Sequence, residues 1–227
     1  MDTYEADMNR HNTPALIELT HLTVPVAELV AAHNQLKHRS NDEQFYQYSD
    51  IKSNVADAFP IKTGQYGYVG ITDIAEDQKA LWNRASPREM YKMVARGEAP
   101  ALDDRNYTVM REDVPESVRA FLGQFRGTIS RTRFAVLGAH SSIKEHVDND
   151  INHTIRIHVP LISSKYCVSG FRTMPNVYEH YVMEVGKAYF FNAAIPHYVI
   201  NGGDEDRLHL IVNLNTHEDL NGYGCHI

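Results

Sequence analysis

The stretch KEHVDNDINHTIRIHVPLI, residues 144–162, brings His146, Asp148, His153 and His158 close together and then becomes an alternating, strand-like run. Side chains of a β-strand alternate between its faces, so an H-x-D pair at a strand edge sends an imidazole and a carboxylate to the same side. A second imidazole from elsewhere would complete a face of two histidines and one carboxylate. Such a face leaves open positions on an iron(II) ion for a bidentate co-substrate and for dioxygen. A structural zinc site would instead want four closed ligands, often thiolates. The candidates for the second histidine are His153, His158, His180, His197, His209 and His217. His197, in NAAIPHYVINGG, is the choice. It follows the strand-and-turn pattern GKAYFFN and lies about fifty residues on, far enough for several strands to intervene. His158 and His209 sit inside alternating runs and read first as barrel packing.

Arg207 stands ten residues after His197, at the head of RLHLIVNL. A guanidinium buried in a barrel wants a bidentate carboxylate partner. The distal carboxylate of 2-oxoglutarate would supply one; so would the acidic run Asp204, Glu205 and Asp206 just upstream. The conjunction with H-x-D and a late histidine favours the co-substrate.

These residues need a scaffold. The chain has 227 residues, 43% of them hydrophobic and 22% charged, which suits one domain with a sizeable core. LIELTHLTV, residues 16–24, reads as a strand, and the segment from Pro25 reads as a helix. YGYVGIT, residues 66–72, reads as a strand. Ser86-Pro87-Arg88-Glu89 opens a helix with a capping-box pattern, and Pro115 opens another. After Gly127 come TISRTRFAVL, HTIRIHVPLI, KYCVSGFRTM, HYVMEV, KAYFFN, HYVING and RLHLIVNL, β-prone runs punctuated by turn residues. The expected architecture is mainly β with a helical buttress, a jelly roll. It forms a single domain over 1–227: residues 1–127 pack as a mixed α/β part on a β core at 128–217.

The net charge of −7 argues against broad nucleic-acid binding. No apolar run approaches a membrane span, and the polar start MDTYEADMNRHN is not a secretory signal. Two cysteines, Cys167 and Cys225, make no disulfide framework, so a cytoplasmic protein is expected. The expected partner is a small-molecule substrate; oligomeric state is not readable.

HVDND…HTIRIHVPL followed by VGKAYFFNAAIPHYVINGGDEDRLHLIVNL resembles the aspartyl/asparaginyl β-hydroxylases, iron(II)/2-oxoglutarate oxygenases, and the proline cis-hydroxylases that share their fold. The resemblance covers roughly residues 130–215 and implies a double-stranded β-helix of the cupin type. It implies His146, Asp148 and His197 as metal ligands and Arg207 on the distal carboxylate of 2-oxoglutarate. Arg156 and His158 would lie near the co-substrate. Arg133 matches an arginine of the proline hydroxylases and would contact substrate or structure. The implied cofactors are iron(II), 2-oxoglutarate and dioxygen, with ascorbate as a supporting reductant. Some animal β-hydroxylases lack the carboxylate ligand, whereas Asp148 is present here. This chain also has one residue more than they do between His146 and the RIH strand. Both departures bring it nearer to the small-molecule hydroxylases, so hydroxylation of a free amino acid or a derivative is the expected reaction. The alternatives are a peptidyl hydroxylase, a metal cupin that does not use 2-oxoglutarate, and a non-catalytic binding barrel. For substrate contact, Asn149 lies on the loop after H-x-D and Tyr68 in a first-half aromatic set with Tyr46, Tyr48, Tyr66, Trp82 and Tyr91.

Overall fold

The computed structural model describes residues 13–37, 62–63, 66–76, 92–98, 103–148 and 150–223. The helix expected from Ser86, the aromatic residues Tyr46, Tyr48, Trp82 and Tyr91, and Asn149 and Cys225 lie outside the described residues.

Two sheets face each other. The six-stranded one runs in the order β1 (Leu16–Glu18), β11 (Tyr189–Phe191), β8 (Ile155–Ile162), β13 (Arg207–Leu214), β6 (Ile129–Leu137) and β3 (Tyr66–Gly70). The five-stranded one runs β10 (Val177–Tyr181), β9 (Cys167–Met174), β12 (His197–Asn201), β7 (Ser141–His146) and β2 (Lys62–Thr63). Neighbours are antiparallel apart from β2 on β7. A small pair, β4 (Thr72–Asp73) and β5 (Val109–Met110), stands beside them. In the second half, successive strands mostly cross from one sheet to the other, which is the winding of a double-stranded β-helix.

Helix α1 (Val26–Lys37) and helix α2 (Glu116–Leu122) cover the outer face of the larger sheet. Helix α1 carries Glu28 in its first turn and Lys37 in its last, each suited to the local end of the helix dipole. It buries Leu29, Ala32, His33 and Leu36, spaced as one helical face. Val118, Phe121 and Leu122 of α2 join them against Phe134, Ile157, Leu210 and Val212. Strand β13 is buried along its whole length, with Leu208, Leu210, Val212 and Leu214 under the helices. Its other face looks inward with Arg207, His209, Ile211 and Asn213. Between the sheets a smaller apolar cluster holds Phe171, Tyr189, Phe191 and Met183.

Two elements depart from expectation. The strand read over 16–24 ends at Glu18, and the chain then turns toward Pro25. The run HYVMEV contributes only its first two residues to β10, which begins at Val177. A two-residue turn at Pro175–Asn176, with Asn176 at φ 61°, pairs Val177 with Met174 and so moves the strand toward the N-terminus.

His33 on α1 meets the edge of Phe134 at 5.4 Å between centroids. Burial, aided by Lys37, lowers its pKa to about 4. An unfolded chain would protonate His33 first, so its contribution is complete above pH 6.5 and is lost as the pH falls toward 4. By pH 5 this amounts to about 2 kcal/mol. Urea unfolding at pH 7.5 and pH 5 should show a smaller loss on acidification for His33→Leu than for the parent; equal losses would contradict the assignment.

Candidate metal centre and cavity

His146 ends β7 and His197 begins β12, and the two are register partners across that antiparallel pair. Their rings lie 4.3 Å apart between centroids. Each donates Nδ1–H to the carbonyl two residues earlier: His146 to Lys144 at 2.7 Å and His197 to Ile195 at 2.8 Å. That leaves Nε2 of each as the free lone pair, the arrangement by which outer hydrogen bonds fix a ligand's tautomer. Asp148 is not on the strand as the sequence suggested. It lies two residues past the end of β7, where its N–H donates to Ala193 O at 3.0 Å. This bond ties it to the turn that delivers His197. Asn192, buried in the same turn, reaches Thr13 O and accepts from Ala194 N–H. Asp148 Oδ2 then stands 3.6 Å from His146 Nε2 and 3.7 Å from His197 Nε2. One ligand atom from each residue falls within 4.8 Å of the others, a spacing that fits a single ion.

Two of the three groups stand in the form that binds an ion, while for His146 burial is outweighed by its bonds to Asp148 and Lys144, which raise its pKa and hold a proton that a metal must displace. Burial alone would raise the Asp148 carboxyl, but His146 and the charge of Arg156 outweigh it and hold it well below the usual carboxylate range. His197 is pushed down to about 4, by burial first and then by His146, so it is a neutral donor at pH 7.

The three residues sit at one side of a cavity of about 540 Å³. Its wall on the larger sheet is cationic, in a chain of net charge −7: Arg131, Arg133, Arg156 and Arg207 all line it. They do so because β6, β8 and β13 alternate, with aliphatics under the helices and polar side chains inward. Arg207 is 3% exposed and its Nε has no hydrogen-bond partner among the described residues. The upstream acids do not take it. Asp204 meets His140 at 3.0 Å, Asp206 accepts from Ala139 N–H at 3.0 Å, and no ion pair reaches Arg207 among the described residues. Burial lowers its pKa to about 10, so it is charged and lacks a counter-ion. Such a group is costly unless an anion joins it.

Arg156 pairs with Asp148, the candidate carboxylate ligand, and lies 3.7 Å from Asp104. His158 lines the cavity, stacked on Phe191 at 4.4 Å. Arg133, also buried, donates to Arg131 O at 2.8 Å, and Tyr66 and Tyr68 complete the wall on β3. The remaining histidine candidates lie elsewhere. His153 pairs with Asp103, His180 meets Tyr198 on the outside, and His217 bonds Ile151 O.

Asp104 was not foreseen. A capped 3-10 turn, Asp104–Asn106, inserts it against the barrel. It accepts from Arg131 and, at 2.8 Å, from Asn213 Nδ2. Opposite Val212, β6 carries the extra residue of a bulge, and Arg131 sits there at φ 31°. The local signal was the D-x-x-N cap, but nothing nearby in sequence shows what it docks on. Asp104 is buried but Arg131 is half-exposed, so solvent screening reduces the worth of the pair; losing it, with the bond to buried Asn213, costs about 2 kcal/mol. Asp104→Ala should therefore lower stability by that order in urea unfolding, and a loss below about 1 kcal/mol would contradict the anchoring role.

No curated protein sequence matches the chain. Solved structures that align with it include a 2-oxoglutarate–iron(II) oxygenase-family oxidoreductase from Burkholderia pseudomallei, at 12% identity over 95% of this chain and 92% of that one, TM-score 0.49. A Pseudomonas putida prolyl-4-hydroxylase aligns at 11% identity over 94% and 98%, TM-score 0.45. The α-ketoglutarate-dependent carbocyclase SnoK of nogalamycin biosynthesis aligns at 10% identity over 95% and 84%, TM-score 0.47. The family described as aspartyl/asparaginyl β-hydroxylase matches residues 69–216, a span that takes in both candidate histidines, Asp148 and the cavity arginines. With well over half of its length under that match, the chain belongs to the aspartyl/asparaginyl β-hydroxylase family of iron(II)- and 2-oxoglutarate-dependent oxygenases.

Proposed function

We propose that the protein hydroxylates an unactivated C–H bond of a small carboxylate-bearing molecule, a free amino acid or a derivative. His146, Asp148 and His197 would hold iron(II), and Arg207 would hold the distal carboxylate of 2-oxoglutarate. The observation that carries this reading is the convergence of three ligand atoms on one point beside a cavity whose other wall holds a buried, charged guanidinium with no carboxylate partner among the described residues. When bound, iron(II) with 2-oxoglutarate and dioxygen supplies the oxidising power, and the acid leaves as succinate and carbon dioxide.

The chain's own groups position and balance charge. The carbonyls of Lys144 and Ile195 orient the imidazoles. Arg156 keeps Asp148 ionised and aimed. Phe191, edge-on to His197 at 4.9 Å, closes the apolar side of the centre. Arg207 takes one anion and leaves Arg133 free to bind another, which supports an acidic or zwitterionic substrate. Tyr68 lies on the same wall. Among the described residues no helix is long and apolar enough to cross a membrane. Together with the sparse cysteines, this supports a cytoplasmic setting.

The family description favours a second reading, an aspartyl or asparaginyl residue within a peptide. A panel of free amino acids and short peptides, scored by succinate release with iron(II), 2-oxoglutarate and ascorbate, separates the two. The expected result is stimulation by a free amino acid, with Arg133→Ala raising KM for that substrate and leaving KM for 2-oxoglutarate unchanged. Stimulation by peptides alone would replace the first reading with the second.

A further inference from the structure

His209 lies behind the cavity wall on β13, 1% exposed, and its Nε2 has no hydrogen-bond partner among the described residues. Its Nδ1 is 3.3 Å from Nδ1 of His158, with the two rings edge to face at 85°. His158 stands between His209 and the cavity. Two neutral imidazoles that meet nitrogen to nitrogen share one proton, so the tautomer of one dictates the tautomer of the other.

Only two arrangements exist. If His158 donates, His209 must carry its proton on Nε2, leaving a buried N–H with no acceptor, while His158 shows the cavity a bare lone pair. If His209 donates, its Nε2 is an unpaired acceptor and His158 carries its proton on Nε2. The buried Nε2 of His209 is an orphan in both, so the cavity side separates them. The second arrangement gives the arginine-lined cavity one more donor, where the first would put a lone pair against an incoming carboxylate. Protonating both rings is disfavoured, because burial pushes each imidazole well below its usual pKa.

We propose that His209 is a positioning residue that locks His158 in the Nε2–H tautomer, so that His158 donates a hydrogen bond to the carboxylate held by Arg207. The inference rests on the co-substrate reading for the identity of that carboxylate, but the tautomer claim stands apart from it. His209 would act through His158 and would not touch the acid itself.

Nitrogen NMR of 15N-histidine-labelled, zinc(II)-loaded protein reads the tautomers directly. His209 should be protonated on Nδ1, the less common form, and His158 on Nε2; the reverse pair overturns the proposal. Calorimetric titration of the zinc(II)-loaded protein with 2-oxoglutarate reads the consequence. His209→Leu, which cannot donate, should weaken binding about tenfold, the worth of one hydrogen bond to a charged group. His209→Asn, whose amide N–H falls near the position of Nδ1, should recover most of it, and zinc affinity should be unchanged in both. Unaltered 2-oxoglutarate affinity in the leucine variant overturns the proposal, as does equal weakening in both variants. If the leucine variant does not fold, the parent tautomers and the asparagine variant still decide. If the parent protein itself takes up no 2-oxoglutarate, the functional reading fails, while the tautomers still judge this one.

Discussion

Arg207→Met is expected to weaken 2-oxoglutarate binding by about a hundredfold to a thousandfold while leaving metal uptake unchanged. The size follows from the setting. The guanidinium is 3% exposed, charged, and without an anion among the described residues. A carboxylate that pairs with it forms charge-assisted hydrogen bonds out of reach of water, and truncating one partner of such a pair costs about 2–5 kcal/mol. Methionine keeps the length and apolar bulk of the stem, so β13 still packs. The same substitution should not lower the melting temperature of the ligand-free protein, since it removes a desolvated charge that the fold itself does not neutralise. The two readouts oppose each other, and few structural defects would produce both. A variant that binds the acid normally but melts early would show Arg207 to be a packing residue.

His197→Ala, His146→Ala and Asp148→Ala are each expected to raise the dissociation constant for a divalent metal by more than about a hundredfold. Removing an outer hydrogen-bond partner alone costs about tenfold to a hundredfold, and a direct ligand costs more. The three differ in what they leave behind. Without His197, Asp148 remains paired with Arg156 and the site keeps its charge. Without Asp148, Arg156 retains among the described residues only Asp104 at 3.7 Å, and the cavity gains net positive charge that repels a metal ion. Asp148→Ala should therefore be the most severe. Thermal shift against zinc(II) or manganese(II) measures all three. Metal at a hundred times its dissociation constant stabilises the parent by about 2.7 kcal/mol, and that stabilisation should disappear in the variants. A variant that keeps the full shift does not lack a ligand.

The strands that hold these residues were legible in part. RLHLIVNL coincides with β13 because continuous burial makes a continuous β-prone run bounded by Asp206 and Asn215. Strand β6 was likewise readable to within a residue. Strand β7, SSIKEH, carries no strand signal in the sequence. It is half-buried, charged toward its end and held by ladder bonds to β12 and β2, so little apolar alternation marks it. His146, Asp148 and His197 could be picked out as a candidate metal face from the H-x-D spacing and a late histidine, and the structure brings one ligand atom of each within 4.8 Å of the others. How Asp148 gets there was not readable, since its placement depends on a backbone bond to Ala193 rather than on strand alternation. Asp104 escaped, and His209 read only as barrel packing, for a shared reason: each meets a residue distant along the chain, Arg131 for one and His158 for the other.

The central claim is that two imidazoles and one carboxylate hold a single iron(II) ion that accepts 2-oxoglutarate in the same cavity. Anaerobic titration of iron(II) into the protein with 2-oxoglutarate present tests it in one experiment. A weak visible charge-transfer band that saturates at one equivalent of iron, and is missing from His197→Ala, is the predicted result. No band in the parent protein, or an undiminished band in His197→Ala, would contradict it.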